Sequence, residues 1–233
     1  MTTTPKRNLA RRKPRQPTGP GFQADLTPDS AEVQANHAQL EERNALHLRF
    51  GYDSEPGVQF VVKKALPLHG RVLDVGTGKG RFAIALARHV AKVTTVDVSA
   101  EEQRQARLEA IHVGVVDSIR FVTQDARFLP WPARSFDAVA AWNVFHHLDD
   151  PERVLTEMIR MVKPGGKLVL ADFSPSGFRL MDAIHGADGK KHPHPPNRFA
   201  YWKSLLLKSG FRTRKFSGHH EEVLLGIREV QNP

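Results

Sequence analysis

Short apolar runs alternate with helical patterns through the middle of the chain. Five runs have the length and β-branched content of buried strands, at 71–75, 93–98, 119–123, 137–142 and 167–172. Between them, helical patterns cover 81–91, 99–113 and 151–162. Strands that alternate with helices at this spacing predict an α/β fold built on a parallel sheet with right-handed crossovers.

The pattern changes on both sides of this segment. Helices are predicted at about 30–48 and 58–66, whereas 174–196 is rich in Gly, Pro and His and is predicted to be an inserted loop region. A helix at 200–209 and a hairpin of 211–216 with 223–228 follow. We therefore divide the chain into a tail (1–28) and one domain (29–233). The parts of the domain are N-terminal helices or lid (29–69), a cofactor-binding core (70–173), an acceptor-side insertion (174–210) and a closing hairpin (211–233).

Charge is concentrated at the N-terminus. The 233 residues carry a formal charge of +9, and residues 1–20 hold six Lys or Arg, four Pro and no acid. Such a segment has little to bury and is predicted to be disordered. Two interpretations remain open: a tether for RNA or another anionic surface, and a solubilising arm.

Two absences narrow the classes of function. The chain contains no cysteine, which excludes disulfides, thiolate nucleophiles, cysteine-ligated zinc and iron–sulfur clusters. No apolar run approaches the roughly 18 residues of a membrane helix, and residues 1–21 lack the apolar segment of a secretory signal. We expect no membrane span and a cytoplasmic location.

A glycine-rich loop joins the first strand to its helix. Its glycines, Gly76, Gly78 and Gly80, allow a tight turn and the approach of a ligand to the backbone. The spacing G-x-G-x-G differs from the dinucleotide fingerprint G-x-G-x-x-G. Asp74 lies two residues before the first glycine, where its carboxylate would repel a pyrophosphate and attract an ammonium group.

Two further acids follow the next two strands. Asp97 ends the second strand, about 20 residues after the first glycine, where an acid accepts hydrogen bonds from ribose hydroxyls. Asp125, beside Ala126, follows the third strand and is placed to bind an adenine edge. Each acid is alternatively a helix cap. Together they predict a nucleoside ligand without phosphates and with a charged amino-acid end.

The order of five motifs resembles the class I S-adenosylmethionine-dependent methyltransferases, in the small-molecule branch that includes ubiquinone- and menaquinone-type enzymes. The motifs are VLDVGTGKG (72–80), VD (96–97), QDA (124–126), SFDAVAAWNVFHHL (135–148) and KPGGKL (163–168). The resemblance implies a Rossmann-like, seven-stranded, mostly parallel sheet with helices on both faces and an antiparallel last strand.

The same resemblance implies S-adenosylmethionine as cofactor and assigns contacts to it. Asp74 would meet the methionine ammonium, Gly76 and Gly78 the methionine backbone, and Asp97 the ribose. Asp125 with Ala126 would meet the adenine, and Asn143 would line the methionine side. Thr77, Gly80 and Val98 complete the predicted cofactor set.

His146 and His147 follow the fourth strand and are the candidate catalytic residues. The ordinary pKa of histidine, near 6.5, suits it to take a proton from an acceptor at neutral pH. The alternative is that both histidines are structural. No metal is expected, because the spacing of His192 and His194 fits no compact site.

Several subfamilies are excluded by missing motifs. The sequence after the fourth strand is Ala-Trp-Asn-Val (141–144), not the Asn/Asp-Pro-Pro-aromatic motif of enzymes that methylate exocyclic amines of nucleic acids. Asp172 alone does not reproduce the clustered acids of metal-dependent catechol methyltransferases. We expect a methyltransferase with a small-molecule acceptor. The alternatives are an enzyme acting on RNA or protein with the tail as tether, and an inactive interaction module. The sequence predicts neither the acceptor atom nor the oligomeric state.

Overall fold

The computed structural model describes residues 28–90, 92–187 and 199–230. Within these ranges one seven-stranded sheet has the order β3-β2-β1-β4-β5-β7-β6. The strands are β1 (Val72–Val75), β2 (Val93–Asp97), β3 (Ile119–Thr123), β4 (Phe136–Trp142), β5 (Val162–Phe173), β6 (Phe211–Gly218) and β7 (Glu221–Arg228).

The pairing confirms the predicted topology. Strands β3, β2, β1, β4 and β5 are mutually parallel. Strand β7 is antiparallel to both of its neighbours, β5 and β6. The sheet is Rossmann-like, and its last strand runs against the others as expected.

Helices cover both faces of the sheet. They are α1 (Ser30–Arg49), α2 (Ser54–Ala65), α3 (Arg81–Ala87), α4 (Ala100–His112), α5 (Pro151–Met161), α6 (Pro175–Ala187) and α7 (Phe199–Lys208). Alternate residues of a strand face opposite sides, so Val72 packs with α2 and α3 while Leu73 packs with α5 and α7. Helix α1 lies outside this layer, against α4. Within the described residues, no helix combines the length and the apolar character needed to cross a membrane.

The prediction of a loop at 174–196 was wrong over Pro175–Ala187, which forms α6. Proline is tolerated in the first turn of a helix because its missing N–H would have no intrahelical partner there. Met181 and Ile184 are three residues apart on α6 and pack with Tyr52 and Phe173. This packing stabilises a helix that the Gly, Pro and His content concealed. Residues 188–198 lie outside the described ranges.

Strand β5 also begins earlier than predicted. The strand was predicted at 167–172, yet β5 starts at Val162, directly after α5. Gly166 allows this because a Cβ there would lie 2.7 Å from the carbonyl oxygen of Asp137. Lys163 Nζ lies 2.8 Å from Asp137 Oδ1 and fixes the same junction.

The start of α3 depends on a glycine. Gly80 has a φ of 84°, and a Cβ there would lie 2.9 Å from the Cβ of Ala106 on α4. A side chain at this position is therefore excluded both by backbone strain and by contact with α4. The close approach of α3 and α4 supports the glycine loop between them.

We expect Gly80→Ala to lower the free energy of unfolding by at least roughly 1–2 kcal/mol, the cost of a left-handed backbone for a residue with a Cβ. Gly186→Ala is the matched control, because a Cβ added at this position of α6 would meet nothing within 4 Å. In a helix this change stabilises by up to about 0.5–1 kcal/mol. Urea unfolding measures both values, and equal stability of the two variants would show that Gly80 is not constrained.

Candidate active site

A cavity of about 590 Å³ opens at the carboxyl ends of β1, β2 and β4. Strand β1 lies between β2 and β4, where the order of the strands reverses and open α/β folds bind ligands. Most of the predicted site residues line this cavity: Gly76, Thr77, Gly78, Asp97, Val98, Asp125, Ala126, Asn143, His146 and His147. The structure thus brings together residues from four separate chain segments.

Asp74 and Gly80 are not part of the cavity wall. Asp74 is buried beneath the glycine loop, where its Oδ2 accepts a hydrogen bond of 2.7 Å from Thr95 Oγ1. Burial raises the pKa of this carboxyl to about 7. Its Oδ1 has no hydrogen-bond partner within the described residues. Contact of Asp74 with an ammonium group stays a prediction.

Asp97 is held in one orientation by the backbone. Its Oδ2 accepts from the N–H of Gly78 and its Oδ1 from the N–H of Ser99, each at 3.0 Å. Each carboxylate oxygen has two lone pairs, so both oxygens keep a position for a further donor. Next to it Val98 is 69% exposed although it lies in the cavity wall. A ligand with two hydroxyls and a flat apolar part fits this corner.

Asp125 has a partner that the sequence did not indicate. Both of its oxygens accept hydrogen bonds from the guanidinium of Arg127, the shortest being 2.7 Å from Nη2 to Oδ2. These hydrogen bonds lower the pKa of Asp125. The Asp125 carboxylate is therefore ionised at neutral pH. A ligand that donates a hydrogen bond to Asp125 would do so beside the guanidinium of Arg127.

Asn143 connects the cavity to the C-terminal hairpin. It has a φ of 51°, and its Nδ2 donates a 2.9 Å hydrogen bond to Oε1 of Glu221 on β7. Glu221 is fully buried, and burial raises its pKa to about 8. A neutral carboxyl group therefore holds Asn143 at the cavity wall below that pH. No local pattern in the sequence indicates this pair.

His146 is oriented by Asp172. Its Nδ1 lies 2.6 Å from Asp172 Oδ1, and its backbone N–H donates to Asp172 Oδ2 at 3.1 Å. The side chains are 1% and 6% exposed. An Nδ1–H that donates to the carboxylate leaves Nε2 as the basic nitrogen of the ring. The resulting pair has the arrangement of a general base with its orienting acid.

His147 has a different environment. Its ring lies 3.9 Å from that of His146. Burial lowers the pKa of His147 to about 4, and the neighbouring His146 and His185 add to the effect. His147 is neutral at pH 7 but too weak a base to take a proton efficiently. The two candidate catalytic residues are neighbours but differ in their surroundings: Asp172 orients His146, whereas burial weakens His147 as a base.

Aromatic and sulfur-containing side chains complete the wall on the side of α6. Tyr52, Phe173 and Met181 line the cavity, and the Tyr52 and Phe173 rings meet edge to face at 5.9 Å. Of the aromatic residues in the N-terminal segment 29–69, Tyr52 reaches the cavity and Phe50 packs with the same cluster. Phe60 instead packs beside His219, at 5.6 Å.

The C-terminal histidines are not brought together as a group. His185 lines the cavity, whereas His219 and His220 form the turn between β6 and β7. His192 and His194 lie outside the described residues. Among the described residues, no cluster of three or more His, Asp or Glu side chains is arranged to hold a metal ion.

These features fit a nucleoside. Asp97 offers two acceptor positions to a ribose, and Val98 offers an exposed apolar surface to a base. The glycine loop exposes backbone through the positive φ values of Gly76 and Gly78, 87° and 47°. A Cβ at Gly76 would lie 2.5 Å from Val144 Cγ2, so the loop conformation depends on glycine.

Comparison with known proteins supports this interpretation of the cavity. A family model described as a methyltransferase domain matches residues 73–170. Over 168 residues the chain is 34% identical to a ubiquinone biosynthesis O-methyltransferase of Xylella fastidiosa, covering 72% of this chain and 68% of that protein. Over 120 residues it is 38% identical to the 27-O-demethylrifamycin SV methyltransferase of Amycolatopsis mediterranei, covering 48% of this chain and 44% of that protein.

A solved structure gives the same fold. The chain superposes on a SAM-dependent methyltransferase from Aquifex aeolicus with a TM-score of 0.57 and 22% identity, covering 86% of this chain and 98% of the other. The family match lies between β1 and β5, the strands that build the cavity. The sheet has the predicted order, and the chain is 34% identical to a methyltransferase over 68% of that protein's length. The chain therefore belongs to the class I S-adenosylmethionine-dependent methyltransferases.

Proposed function

We propose that this protein transfers the methyl group of S-adenosylmethionine to an oxygen atom of a small-molecule acceptor. One observation carries the proposal: Asp97 and His146 line a single cavity, and Asp172, outside the cavity wall, orients His146. Donor and acceptor sites are thus adjacent. The names of the two relatives, each of which specifies an oxygen, support the choice of acceptor atom.

The chain's residues have separate tasks in this proposal. Asp97 binds the ribose, and Asn143 lines the cavity between the cofactor and acceptor sides. When bound, S-adenosylmethionine supplies a methyl carbon with a sulfonium leaving group. The protein then has to hold the acceptor oxygen in line with that carbon, and such alignment contributes several kcal/mol, up to roughly 7–11 in well-oriented intramolecular reactions.

The acceptor hydroxyl also has to lose its proton. We assign this step to His146, whose Nε2 accepts the proton while Asp172 keeps the ring oriented and stabilises the charge that forms. His147 stays neutral and contributes to the shape and polarity of the wall. Tyr52 and Phe173 offer an aromatic surface to the acceptor at the cavity wall.

The alternative function from the sequence is methylation of RNA or protein with the basic tail as tether. Its supporting residues, 1–27, lie outside the described ranges. The cytoplasmic location also stays a prediction from the sequence. The small-molecule acceptor is supported by the names of the two relatives, which refer to ubiquinone biosynthesis and to a demethylrifamycin.

Calorimetry with S-adenosylmethionine and NAD tests the cofactor site. We expect S-adenosylmethionine to bind in the micromolar range, about −8 kcal/mol. Asp97→Ala should weaken binding by roughly 1–3 kcal/mol, because two ribose hydroxyls lose a charged acceptor. Asp117→Ala, which removes a carboxylate outside the cavity, is the control. Tighter binding of NAD than of S-adenosylmethionine would contradict the proposed function. Unchanged affinity in Asp97→Ala would show that the ribose does not bind at Asp97.

Asparagine variants test which of the two histidines, His146 or His147, is the base. In His146→Asn the amide N–H can still donate to Asp172, but the basic nitrogen is lost. We expect kcat to fall by roughly 10²–10⁴-fold with little change in cofactor affinity. His147→Asn, the matched change, should lower kcat by less than about tenfold, since its neutral ring is not the base. If both variants retain kcat across pH 6–9, catalysis depends on alignment alone.

A further inference from the structure

A carboxyl group without a cation lies buried behind the cavity wall. Glu221 is the first residue of β7 and is fully buried. Helix α2 covers it so closely that a Cβ at Gly57 would lie 3.1 Å from Glu221 Oε1. Within the described residues Glu221 forms no ion pair, and the charge that acts on it is the like charge of Asp172 on β5. A buried carboxylate without a cation is costly, so this environment favours the neutral acid.

The surrounding groups keep a proton on Glu221 at neutral pH. Burial raises its pKa to about 8, and Asp172 raises it further, while the amide of Asn143 and the indole of Trp142 act in the opposite direction without balancing these effects. Tyr52 is the other titratable side chain whose charge couples to Glu221, and burial raises the pKa of its hydroxyl. Both Glu221 and Tyr52 are therefore uncharged at pH 7.

The two histidines of the turn before β7 have partners elsewhere. The ring of His219 packs beside Phe60 at 5.6 Å. His220 Nδ1 lies 3.1 Å from Ser176 Oγ. Neither side chain forms a hydrogen bond with the carboxyl of Glu221 in the described part of the chain.

Two buried atoms beside one existing hydrogen bond lack a partner. Asn143 Nδ2 donates to Glu221 Oε1 at 2.9 Å. The second atom of each group, Glu221 Oε2 and Asn143 Oδ1, is buried and has no hydrogen-bond partner among the described residues. A protonated carboxyl has one O–H donor, and an amide oxygen is an acceptor. The proton on Glu221 can therefore satisfy both atoms with a second hydrogen bond, parallel to the first.

We propose that Glu221 is a positioning residue for the reaction, whose protonated Oε2 donates to Asn143 Oδ1 and so closes a two-bond pair of an acid with an amide. The pair gives a partner to both atoms, as buried polar groups require. It fixes Asn143, which lines the cavity with a φ of 51°. The inference rests on the proposed function only in its consequence, that the fixed wall favours binding of S-adenosylmethionine.

Loss of the proton breaks one of the two bonds. Above about pH 8 the carboxylate has no donor, and its Oε2 faces another acceptor, Asn143 Oδ1. Asn143 is then held by a single hydrogen bond. We expect the affinity for S-adenosylmethionine to fall by roughly 2- to 10-fold between pH 7 and pH 9, which corresponds to one hydrogen bond.

Infrared spectroscopy of the ligand-free protein tests the proton directly. The wild type should show a carboxylic-acid C=O band at pH 7 that is absent from Glu221→Gln and disappears above about pH 8. Asp74, whose pKa is also raised, titrates in both proteins and cancels in their difference. Absence of a difference band at pH 7 would overturn the proposal, because Glu221 would then be an ionised acceptor for Asn143 and Trp142.

Two variants, studied by calorimetry with S-adenosylmethionine, separate positioning from folding. In Glu221→Gln an amide N–H replaces the acid O–H, so affinity at pH 7 should stay within about threefold of the wild type and its fall above pH 8 should be lost. Glu221→Met removes donor and acceptor and should weaken binding on the order of tenfold at both pH values. Glu222→Gln is the matched control, since Glu222 pairs with Lys215 at 2.9 Å; it should keep the wild-type pH profile.

Each outcome decides one assignment. Equal pH profiles of the wild type and Glu221→Gln would overturn the proposal, because the fall would then come from Asp74 or from the ligand. Equal losses in Glu221→Gln and Glu221→Met would also overturn it. Thermal unfolding checks that each variant is folded, and if Glu221→Met is not, the comparison of Glu221→Gln with the wild type decides alone. A wild-type protein that does not bind S-adenosylmethionine would contradict the proposed function, whereas the infrared band would still test the hydrogen bond.

Discussion

A buried chain of hydrogen bonds beneath the glycine loop is the interaction on which the site depends. Thr95 Oγ1 donates to Asp74 Oδ2 at 2.7 Å and contacts Thr77 Oγ1 at 2.6 Å. Gln103 Nε2 donates to Thr77 Oγ1 and to the carbonyl of Val122, each at 2.9 Å. These bonds join β1, β2, β3 and α4, so the glycine loop, proposed to hold the cofactor, is fixed by four elements at once. Because the loop is fixed, the N–H of Gly78 can orient Asp97.

Local sequence carried enough information to predict the central sheet and the cavity residues that directly follow its strands. Buried strands were recognisable by their apolar, β-branched runs, and parallel strands bring their carboxyl ends to one edge. The sequence therefore predicted that Asp97 and Asp125 lie at one edge of the sheet. The prediction of a loop at 174–196 was wrong because local composition was misleading there. Met181 and Ile184 stabilise α6 through contacts with Tyr52 and Phe173, and such tertiary contacts override local composition.

The chemistry of the site depends on pairs that no local spacing reveals. His146 and Asp172 are 26 residues apart, and Asn143 and Glu221 are 78 apart. Each pair is formed only when two elements pack together. In the proposed function these pairs set the roles of two residues: Asp172 orients His146, the proposed base, and Glu221 holds Asn143 at the cavity wall. Sequence reasoning found one member of each pair and missed the partner that gives it a role.

Transfer of a labelled methyl group tests the central claim, that this cavity methylates a small molecule. The protein is incubated with methyl-labelled S-adenosylmethionine and a cell extract, and the products are separated by dialysis and identified by mass analysis. We predict label in dialysable products, as an added methyl group on oxygen. The retained RNA and protein should stay unlabelled. Label confined to RNA or protein would contradict the account, as would the absence of any transfer by a protein that binds the cofactor.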